Sequence, residues 1–581
     1  MRGILERTSR LGAVLASTTI VVVVFSSGGA IRIAAGWNAP EPAAAAATLE
    51  AARALHAEGD FSRAEALLFP LVSREPDDVE SRLLLARALE DHCLAAPAER
   101  EYRRVLRLDP DRFEALAGLA RLRLKERDQE AAIRFATAAC SVRPDDGPAL
   151  ALLARALTRD GQYGDASECA RRAVELAPAD PAGHAALATI LFRLGDLEGS
   201  RNELKATLAC EPSNSYAHHR LGTGSGAPFD SACRSDESRL AIVTAAALLS
   251  AGRNTDAKAV LDRALESSPD DFKLHHLLAV GLTEIDISRH ALSEMPEYRT
   301  LFDVLPSPEE RGLSDLFPDF GSLAPRERKT IALAAAPLRR YLPRLVGGGA
   351  SHRILPLELS VCELPEFRYL SDQRTFDRRL YAHVRGLGGR NAVTGREYLW
   401  EAADFRYNTL SHEFAHQVHL RAFSPEEKRT VEELYDAAVR EGRCLDYYAR
   451  SDSSEYFAQG YEAFVSLFKH PCLSATACHT RDELRERDPR LYEFILSISD
   501  LSHETREFTA AFAERAGRLS LAMGRHRDAE AHFAHALAAT AGGPGGERLA
   551  TLIRSCREPK VEDDALAPAV FAAPQSGGLG D

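Results

Sequence analysis

The sequence predicts a mainly α-helical protein in which an α-solenoid flanks a smaller α+β unit. Five prolines are each 34 residues apart, which is a period typical of a helical repeat: Pro76, Pro110, Pro144, Pro178 and Pro212. The period is lost between residues 284 and 505, where alternating apolar residues and glycine-rich turns predict short strands. The repeat pattern returns once after residue 505. We therefore expect the repeat array to bracket an inserted unit.

Composition and charge narrow the class of protein. The chain has 581 residues, of which 45% are hydrophobic and 27% charged, as in a folded soluble protein of several domain-sized units. A net charge of −13 argues against nucleic acid as the main partner. We expect proteins or peptides as partners instead.

Residues 1–35 are predicted to be a signal peptide or a membrane anchor. An apolar run from Leu11 to Phe25 follows a basic start and leads to small residues ending at Ala30, where cleavage is expected. If the apolar stretch is instead counted to Ile31, it reaches about 21 residues, enough to span a bilayer. We expect an exported protein, secreted or periplasmic, or one anchored to the membrane by this segment. Residues 36–48, rich in Ala and Pro, are predicted to form a linker.

Residues 49–283 are predicted to form the repeat array. Small residues recur 24 and 12 positions before each proline: Ala52, Ala86, Ala120, Ala154 and Ala188, then Ala64, Ala98, Ala132, Ala166 and Ser200. The array resembles tetratricopeptide repeats (TPR), in which small residues at these positions let paired helices approach closely. A loop at 222–237 interrupts it before a further unit that ends at Pro269. Such an array implies a protein partner, whose identity one chain does not reveal.

The inserted unit, residues 284–505, contains the spacing His-Glu-x-x-His at His412, Glu413 and His416. On a helix, residues four apart share a face, so both imidazoles can bind one tetrahedral Zn²⁺. Glu413 then lies beside the metal, where it can take a proton from an activated water. The motif alone is only suggestive, because a catalytic zinc needs a third protein ligand.

A second predicted helix offers that ligand. Ser453 or Asp452 caps it, and Glu455 lies in its first turn. The two helices resemble the glutamate-ligand zinc peptidases (gluzincins), most closely the lethal-factor type. That type pairs His-Glu-Phe-x-His with a Tyr seven residues before the third-ligand Glu. The resemblance spans His412 to Phe464 and implies a zincin-like metalloprotease domain.

Carried over residue by residue, the resemblance implies three zinc ligands: His412, His416 and Glu455. It makes Glu413 the general base, and Tyr448 the phenol that stabilises the oxyanion or protonates the leaving amine. One departure is Gln459, which stands where the family usually has a carboxylate that orients a zinc histidine. An amide oxygen can still accept a ring N–H bond, but it raises ligand basicity less, which implies weaker metal binding or lower activity.

Strand signals precede the first of these helices. Residues 354–361 alternate as a strand would, and residues 382–395 look like a strand, a glycine turn and a second strand. In zincins such a sheet precedes the metal-binding helix, and its edge strand often holds the extended substrate by main-chain hydrogen bonds.

The ten cysteines leave the redox compartment open. Four fall at repeat positions that favour packed thiols: Cys93, Cys140, Cys169 and Cys210. Cys472 and Cys478 flank a short loop that an exported protein could close with a disulfide. A second metal site with His470 or His479 is the less favoured alternative.

The C-terminal region returns to the repeat pattern. Residues 506–540 are predicted to form one TPR unit, and residues 541–581, rich in Gly, Ala and Pro, a disordered tail. The main hypothesis is therefore an exported zinc metallopeptidase whose repeats bind a protein partner or present substrate. The alternative is a TPR scaffold or adaptor with an inactive zincin-like domain, and Gln459 is the residue that favours it.

Overall fold

The structure is a computed structural model that describes residues 42–126, 128–224, 234–375, 378–446, 448–470, 479–540 and 544–557. The predicted signal peptide or anchor, residues 1–35, lies outside the described residues, as do Cys472 and Cys478. Within the described ranges, no helix has both the length and the hydrophobicity needed to cross a bilayer.

Pairs of helices form the N-terminal half of the described chain. Their bounds are α1 (Pro42–Glu58), α2 (Phe61–Arg74), α3 (Val79–Asp91), α4 (Ala95–Leu108), α5 (Phe113–Lys125), α6 (Gln129–Val142), α7 (Gly147–Asp160), α8 (Tyr163–Leu176), α9 (Pro181–Arg193), α10 (Leu197–Cys210), α11 (Ser215–Thr223), α12 (Asp236–Ser250), α13 (Asn254–Ser267) and α14 (Phe272–Ile287). The first ten helices follow one another as the 34-residue period predicts, and α3 with α4, α5 with α6, α7 with α8 and α9 with α10 form packed pairs. Because α1 starts at Pro42, residues 42–48 of the predicted linker are helical, which corrects that prediction. Alanine is the strongest helix former, and proline suits the first helical turn.

The small residues predicted at helix contacts are buried. Each is at most 1% exposed: Ala52, Ala64, Ala86, Ala98, Ala120, Ala132, Ala154, Ala166, Ala188 and Ser200. A larger side chain at these points would push the paired helices apart. The packing prediction for the array is confirmed.

The interruption in the array changes the partner of α11. Helix α11 packs against α14, and the α12–α13 pair stands between them in sequence. The contact is close at Gly222, where a Cβ atom would lie 2.6 Å from the Cα of His276. His218 of α11 also meets His275 of α14, with 2.7 Å between their Nδ1 atoms. The sixth pair of the array therefore consists of α11 and α14, and the helical hairpin of α12 and α13 is inserted between them in sequence.

Short helices and a small sheet form the first part of the inserted unit. The helices are α15 (Ala291–Glu294), α16 (Pro296–Arg299), α17 (Leu301–Val304), α18 (Leu313–Leu316), α19 (Pro325–Ala335), α20 (Leu342–Gly347) and α21 (Arg396–Ala403). Short 3₁₀ segments lie at Phe320–Ser322, Ala336–Tyr341, Val361–Glu363, Pro365–Leu370 and Tyr381–His383. The strands are β1 (Ser351–Leu355), β2 (Gly386–Leu387) and β3 (Asn391–Gly395). Strand β3 is central, parallel to β1 and antiparallel to β2.

The strand predicted over residues 354–361 is wrong beyond Leu355. Pro356 has no N–H to donate to a neighbouring strand, and the chain turns there instead of continuing along the sheet. The hairpin predicted within residues 382–395 is present as β2 and β3. A sheet of this size does not establish a zincin-like domain, and that part of the fold class stays a prediction.

Longer helices follow the sheet. They are α22 (Thr409–Gln417), α23 (Pro425–Glu441), α24 (Ser453–Val465), α25 (Arg481–Arg487), α26 (Pro489–Ile498), α27 (Arg506–Ala522), α28 (His526–Ala539) and α29 (Pro544–Arg557). A π-helical turn, Val418–Ala422, continues α22. Helices α27 and α28 form the predicted C-terminal pair, in which Gly517 lies directly against the ring of Phe533.

Helix α29 contradicts the disordered tail predicted from residue 541. Leu549 is buried, and Leu552, Ile553 and Cys556 pack around the same cluster as Phe533 of α28. These apolar residues recur at helical spacing and cover the exposed side of the last repeat. The disordered tail was predicted from the glycine-rich composition around them, which outweighed this helical spacing. Residues 558–581 lie outside the described residues.

Buried charges join the array to the inserted unit. Arg385 donates to both carboxylate oxygens of Glu397 at 2.7 Å, and His276 of α14 lies 3.3 Å from the same carboxylate. Lys273, also on α14, donates to the carbonyl oxygens of Leu357 and Leu359. Burial raises the pKa of Glu397, but Arg385 and His276 outweigh it and hold that pKa well below its usual range. The last array helix is thus part of the inserted unit's core.

Candidate metal centre

Helix α22 is fixed at both ends. Asn408 caps it by accepting a hydrogen bond from the backbone N–H of Ser411 at 3.0 Å. At the other end, Gln417 accepts from the ring of His352 on β1 at 2.9 Å and donates to the carbonyl oxygen of Ser351. The sheet therefore sets the position of the helix that carries the His-Glu-x-x-His motif.

Helix α24 packs directly on α22. Its cap is Asp452, whose carboxylate accepts from the N–H groups of Ser454 and Glu455 at 2.8 and 3.0 Å. Phe414 of α22 and Phe457 of α24 are both fully buried in one apolar core. This packing places the first turn of α24 beside the motif.

Three donor atoms converge between the two helices. The Nε2 atoms of His412 and His416 are 3.0 Å apart. Glu455 places Oε2 3.2 Å from the first and 3.4 Å from the second. Within the described residues, this is the one His, Cys, Asp and Glu group whose ligand atoms all lie within 4.8 Å of one another. The structure therefore brings the three predicted ligands together.

The other nitrogen of each imidazole has its own partner. The Tyr407 hydroxyl donates to the amide oxygen of Gln459 at 2.9 Å, so its oxygen can accept from His412 Nδ1 at 3.0 Å. His416 Nδ1 lies 2.8 Å from the hydroxyl of Ser454. With each Nδ1 carrying the proton, both Nε2 lone pairs point towards Glu455.

The donor set fits a divalent metal. Glu455 Oε2 is buried and accepts no well-aligned hydrogen bond, although both imidazoles are close. Two imidazole lone pairs and one carboxylate oxygen facing each other repel unless a proton or a cation lies between them. Two histidines and one glutamate are a usual ligand set for zinc with an open fourth position. The residues present therefore fit Zn²⁺.

The short distances between the imidazoles and carboxylates of the cluster shift their pKa values. Burial raises the pKa of Glu455, but the two imidazoles outweigh this effect and lower it to about 2. Burial lowers the pKa of His412, yet the neighbouring carboxylates leave it above its ordinary value. The Glu413 carboxyl is buried, and burial raises its pKa. A bound cation would reverse the shift of His412 by favouring the neutral ligand form.

Glu413 lies under the edge of the sheet. A Cβ atom on Gly386 would lie 2.7 Å from its Oε1 atom, and one on Gly388 would lie 3.1 Å from its Oε2 atom. Side chains at these two positions would therefore collide with the carboxylate. The glycines predicted to shape the hairpin also let β2 pass directly over the candidate base.

Two further predictions concern residues next to the ligands, Tyr448 and Gln459. The half-buried Tyr448 lies beside the site, with its ring centroid 6.3 Å from that of His412. Gln459, expected to contact a zinc histidine itself, instead acts through Tyr407, whose hydroxyl lies between the two. His419 lies outside the ligand set and is buried against Phe457.

Sequence reasoning missed Tyr407, Ser454 and the role of the hairpin glycines. Ser454 directly precedes Glu455, and Tyr407 lies five residues before His412, so both were close enough in sequence to be considered. Neither belongs to the motif that carried the prediction. Their roles depend on how α22 and α24 face each other, which the sequence does not specify.

Comparisons with known proteins concern the repeats. A family model of the tetratricopeptide repeat matches residues 96–148 and 152–215. Similar solved structures include a thermophilic TPR protein of Thermus thermophilus (20% identity, 30% of this chain and 96% of that chain, TM-score 0.28). They also include MamA from Desulfovibrio magneticus (23%, 29% and 96%, TM-score 0.26) and YrrB, a TPR protein with an unusual peptide-binding site (19%, 37% and 97%, TM-score 0.23). No curated protein matches the chain.

The family-model match supports tetratricopeptide repeats in this part of the chain. The two segments of the family model lie within α4 to α11 and outside the candidate metal centre. The family-model match therefore bears on the repeats and leaves the candidate metal centre untested.

Proposed function

We propose that this protein is a zinc-dependent peptidase whose repeats bind the protein partner or substrate. The observation that carries the proposal is the convergence of His412, His416 and Glu455, with both imidazoles already oriented by hydrogen bonds at Nδ1. A metal-binding cluster needs unprotonated ligand nitrogens, and a proton at each Nδ1 would leave each Nε2 free to bind a metal.

The chain's own residues supply the remaining chemistry. Zinc held by the three ligands would supply Lewis-acid activation of a water and of the scissile carbonyl. Glu413, buried beside the ligands, takes the proton from the attacking water and returns it to the leaving amine. Tyr448 donates a hydrogen bond from its hydroxyl to the developing oxyanion. The edge of β2 opposite β3 receives the extended peptide through main-chain hydrogen bonds.

The competing function is a scaffold that binds partners without hydrolysis. The TPR match favours it, as does the uncharged Gln459 in the hydrogen-bond chain that orients His412. Export of the protein and a membrane anchor are expectations from residues 1–35 alone.

The test is metal analysis of the purified full chain together with turnover of a diverse peptide library. We expect about one zinc per chain, and loss of the metal in His416→Ala. Glu413→Gln should keep zinc but lose turnover, since an amide has the same shape but cannot take a proton. His419→Gln is the matched control, because His419 lies on the continuation of the same helix and outside the ligand set.

Three outcomes would overturn the proposal. Equal zinc content in wild type and His416→Ala would place the metal elsewhere. Equal turnover in wild type and Glu413→Gln would mean that another site or a contaminant cleaves the peptides. Partner binding that ignores both substitutions, without any turnover, would establish the scaffold instead.

A further inference from the structure

A cysteine occupies a turn that other repeats fill with glycine. The turn between the two helices of a repeat recurs every 34 residues, and Gly59, Gly161 and Gly195 there have φ between 79° and 85°. Cys93 holds the same position between α3 and α4, with a φ of 65°. Position 127 belongs to the same series and lies outside the described residues. Because a Cβ atom disfavours this left-handed backbone, Cys93 lowers stability relative to glycine, which points to a role for its side chain.

The inserted unit places His290 beside this turn. The next residue, Ala291, donates its N–H to the carbonyl oxygen of His92 at 3.1 Å. Ala291 also belongs to the apolar cluster against which the half-buried Cys93 packs. His290 itself is only 5% exposed. The backbone contact therefore brings a buried imidazole and a cysteine thiol together from distant parts of the sequence.

The groups around His290 favour its protonated form. Its Nε2 atom lies 3.7 Å from Oδ2 of Asp286. Burial lowers the pKa of His290, but Asp286 and Cys93 outweigh this effect and raise that pKa to about 9. The ring of His470, whose centroid is 5.5 Å away, is neutral at pH 7 because burial lowers its pKa to about 3. An imidazolium beside the thiol stabilises the thiolate, which is the nucleophilic form of cysteine.

Cys93 also lines a cavity of about 290 Å³, bounded by α3, α5, α25 and the α27–α28 pair. His532 of α28 lines the same cavity, is only 9% exposed, and forms no hydrogen bond or ion pair with any residue the structure describes. Burial lowers the pKa of His532 to about 4, so the ring is neutral at pH 7 and carries one N–H. This buried donor is therefore available to a ligand.

The rest of the cavity wall restricts what can bind. Leu122, Phe468 and Met523 provide apolar surface. Among the lining residues that the structure describes, carboxylates outnumber Lys and Arg six to four, which disfavours an anionic ligand. A volume of about 290 Å³ lies at the lower end of the range of small-molecule pockets. The cavity therefore suits a small, uncharged molecule with an apolar group.

We propose that Cys93 is a nucleophile that takes the acyl group of a small uncharged ester and transfers it to water, with His290 as the proton carrier. The thiolate attacks the ester carbonyl, the bond to the alcohol oxygen breaks, and the protonated His290 gives its proton to that oxygen. Water then attacks the thioester while His290 takes its proton, which releases the acid and restores the thiolate. His532 donates a hydrogen bond to the carbonyl oxygen as negative charge develops. This activity goes beyond the proposed function, and its residues are separate from the candidate metal centre.

The first experiment compares alkylation of the cysteines at pH 7. The full-length protein is treated with limiting iodoacetamide, and mass spectrometry of its peptides gives a rate for each thiol. Cys140 and Cys362 are internal controls, because both are half-buried and burial raises the pKa of each to about 11. We expect Cys93 to react roughly tenfold faster or more. Equal rates at the three thiols would overturn the inference.

Replacing the imidazole separates activation of the thiol from packing. His290→Gln should slow alkylation of Cys93 roughly tenfold or more at pH 7, and most of the rate should return near pH 9.5, where a thiol with an ordinary pKa of about 8.5 ionises unaided. His184→Gln, which replaces another buried histidine beside a carboxylate, is the matched control and should change neither rate. Equal losses at both pH values would mean that His290 only supports the fold, and its role as proton carrier would fail.

The acyl step is tested with p-nitrophenyl acetate, an uncharged ester. We expect a burst of about one p-nitrophenolate per chain and an acetyl group on Cys93, located by mass spectrometry after acid quenching. Cys93→Gly should abolish the burst and keep the fold, because glycine suits a φ of 65°. Cys140→Ala is the matched control and should keep the burst. A full burst in Cys93→Gly, or acetyl groups only on other residues, would contradict the proposed nucleophile.

Two further outcomes define the ligand and separate this inference from the zinc proposal. The anionic mono-p-nitrophenyl ester of succinic acid should acylate Cys93 more slowly than the acetate ester, and an equal or faster rate would overturn the uncharged class of donor. Acylation of Cys93 in a protein that holds no zinc would leave this inference standing, and only the peptidase proposal would fail. Zinc-dependent peptide cleavage without acylation of Cys93 would do the reverse.

Discussion

The repeat array and the inserted unit encode their structures in different ways. In the array, the same packing position recurs in every repeat, so the buried small residues could be identified from their 34-residue period alone. In the inserted unit, each position occurs once. The ligands there depend on Tyr407, Ser454 and Gln417, whose roles nothing in the sequence repeats. Repetition makes packing predictable, whereas a site built from single contacts is predictable only as far as its motif extends.

The largest expected effect tests the packing of the array. Ala120→Trp should lower the free energy of unfolding by about 3 kcal/mol or more, because Ala120 is fully buried where paired helices meet. Ala247→Trp on α12 is the control, since Ala247 is exposed and its substitution should change stability by less than about 0.5 kcal/mol. Urea denaturation measures both. Similar midpoints for the two variants would contradict the assigned helix contacts.

A smaller effect tests the single contacts of the inserted unit. Burial lowers the pKa of His352, which joins Gln417 of α22 to Thr394 of β3, to about 4. In the unfolded chain the pKa is about 6.5, so acid protonates the unfolded state first. The stabilisation from neutral His352 is fully present above about pH 6.5 and is lost as the pH falls to about 4, a change of about 3 kcal/mol.

The measurement is the free energy of unfolding at pH 7.5 and at pH 4.5 for wild type and His352→Gln. Glutamine cannot titrate, so the variant should lose about 2–3 kcal/mol less than wild type between the two pH values. Parallel losses in the two proteins would show that His352 does not sense acid.

The smallest effect concerns the hydrogen bond that orients His412. Tyr407→Phe removes the hydroxyl that accepts from Nδ1 and donates to Gln459. If zinc binds as proposed, its affinity should fall by about 10- to 100-fold while the fold is kept. Competition with a chelating dye measures the affinity. Tyr435→Phe, which removes a hydroxyl bonded to the backbone of Arg450, provides the control.

The sequence predicted the array and the positions of the site residues, but not how those residues are supported. The two histidines follow from helical spacing, and Glu455 from a family resemblance, so all three could be named in advance. Pro356 ends a strand that alternation alone would extend, and α29 lies hidden in glycine-rich sequence. The position of Tyr407 depends on the packing of α22 against α24, which no local pattern records.

The pairing of α11 with α14 also has a consequence for synthesis of the chain. Helix α11 leaves the ribosome roughly 50 residues before its partner, a delay of roughly 3–10 s at 5–20 residues per second. Until α14 arrives, the close-packing surface around Gly222 has no cover, while the α12–α13 hairpin can already fold. During synthesis, the repeat that begins with α11 therefore stays incomplete until α14 has been made. Helix α14 completes that repeat and also contributes the first residues of the inserted unit's core.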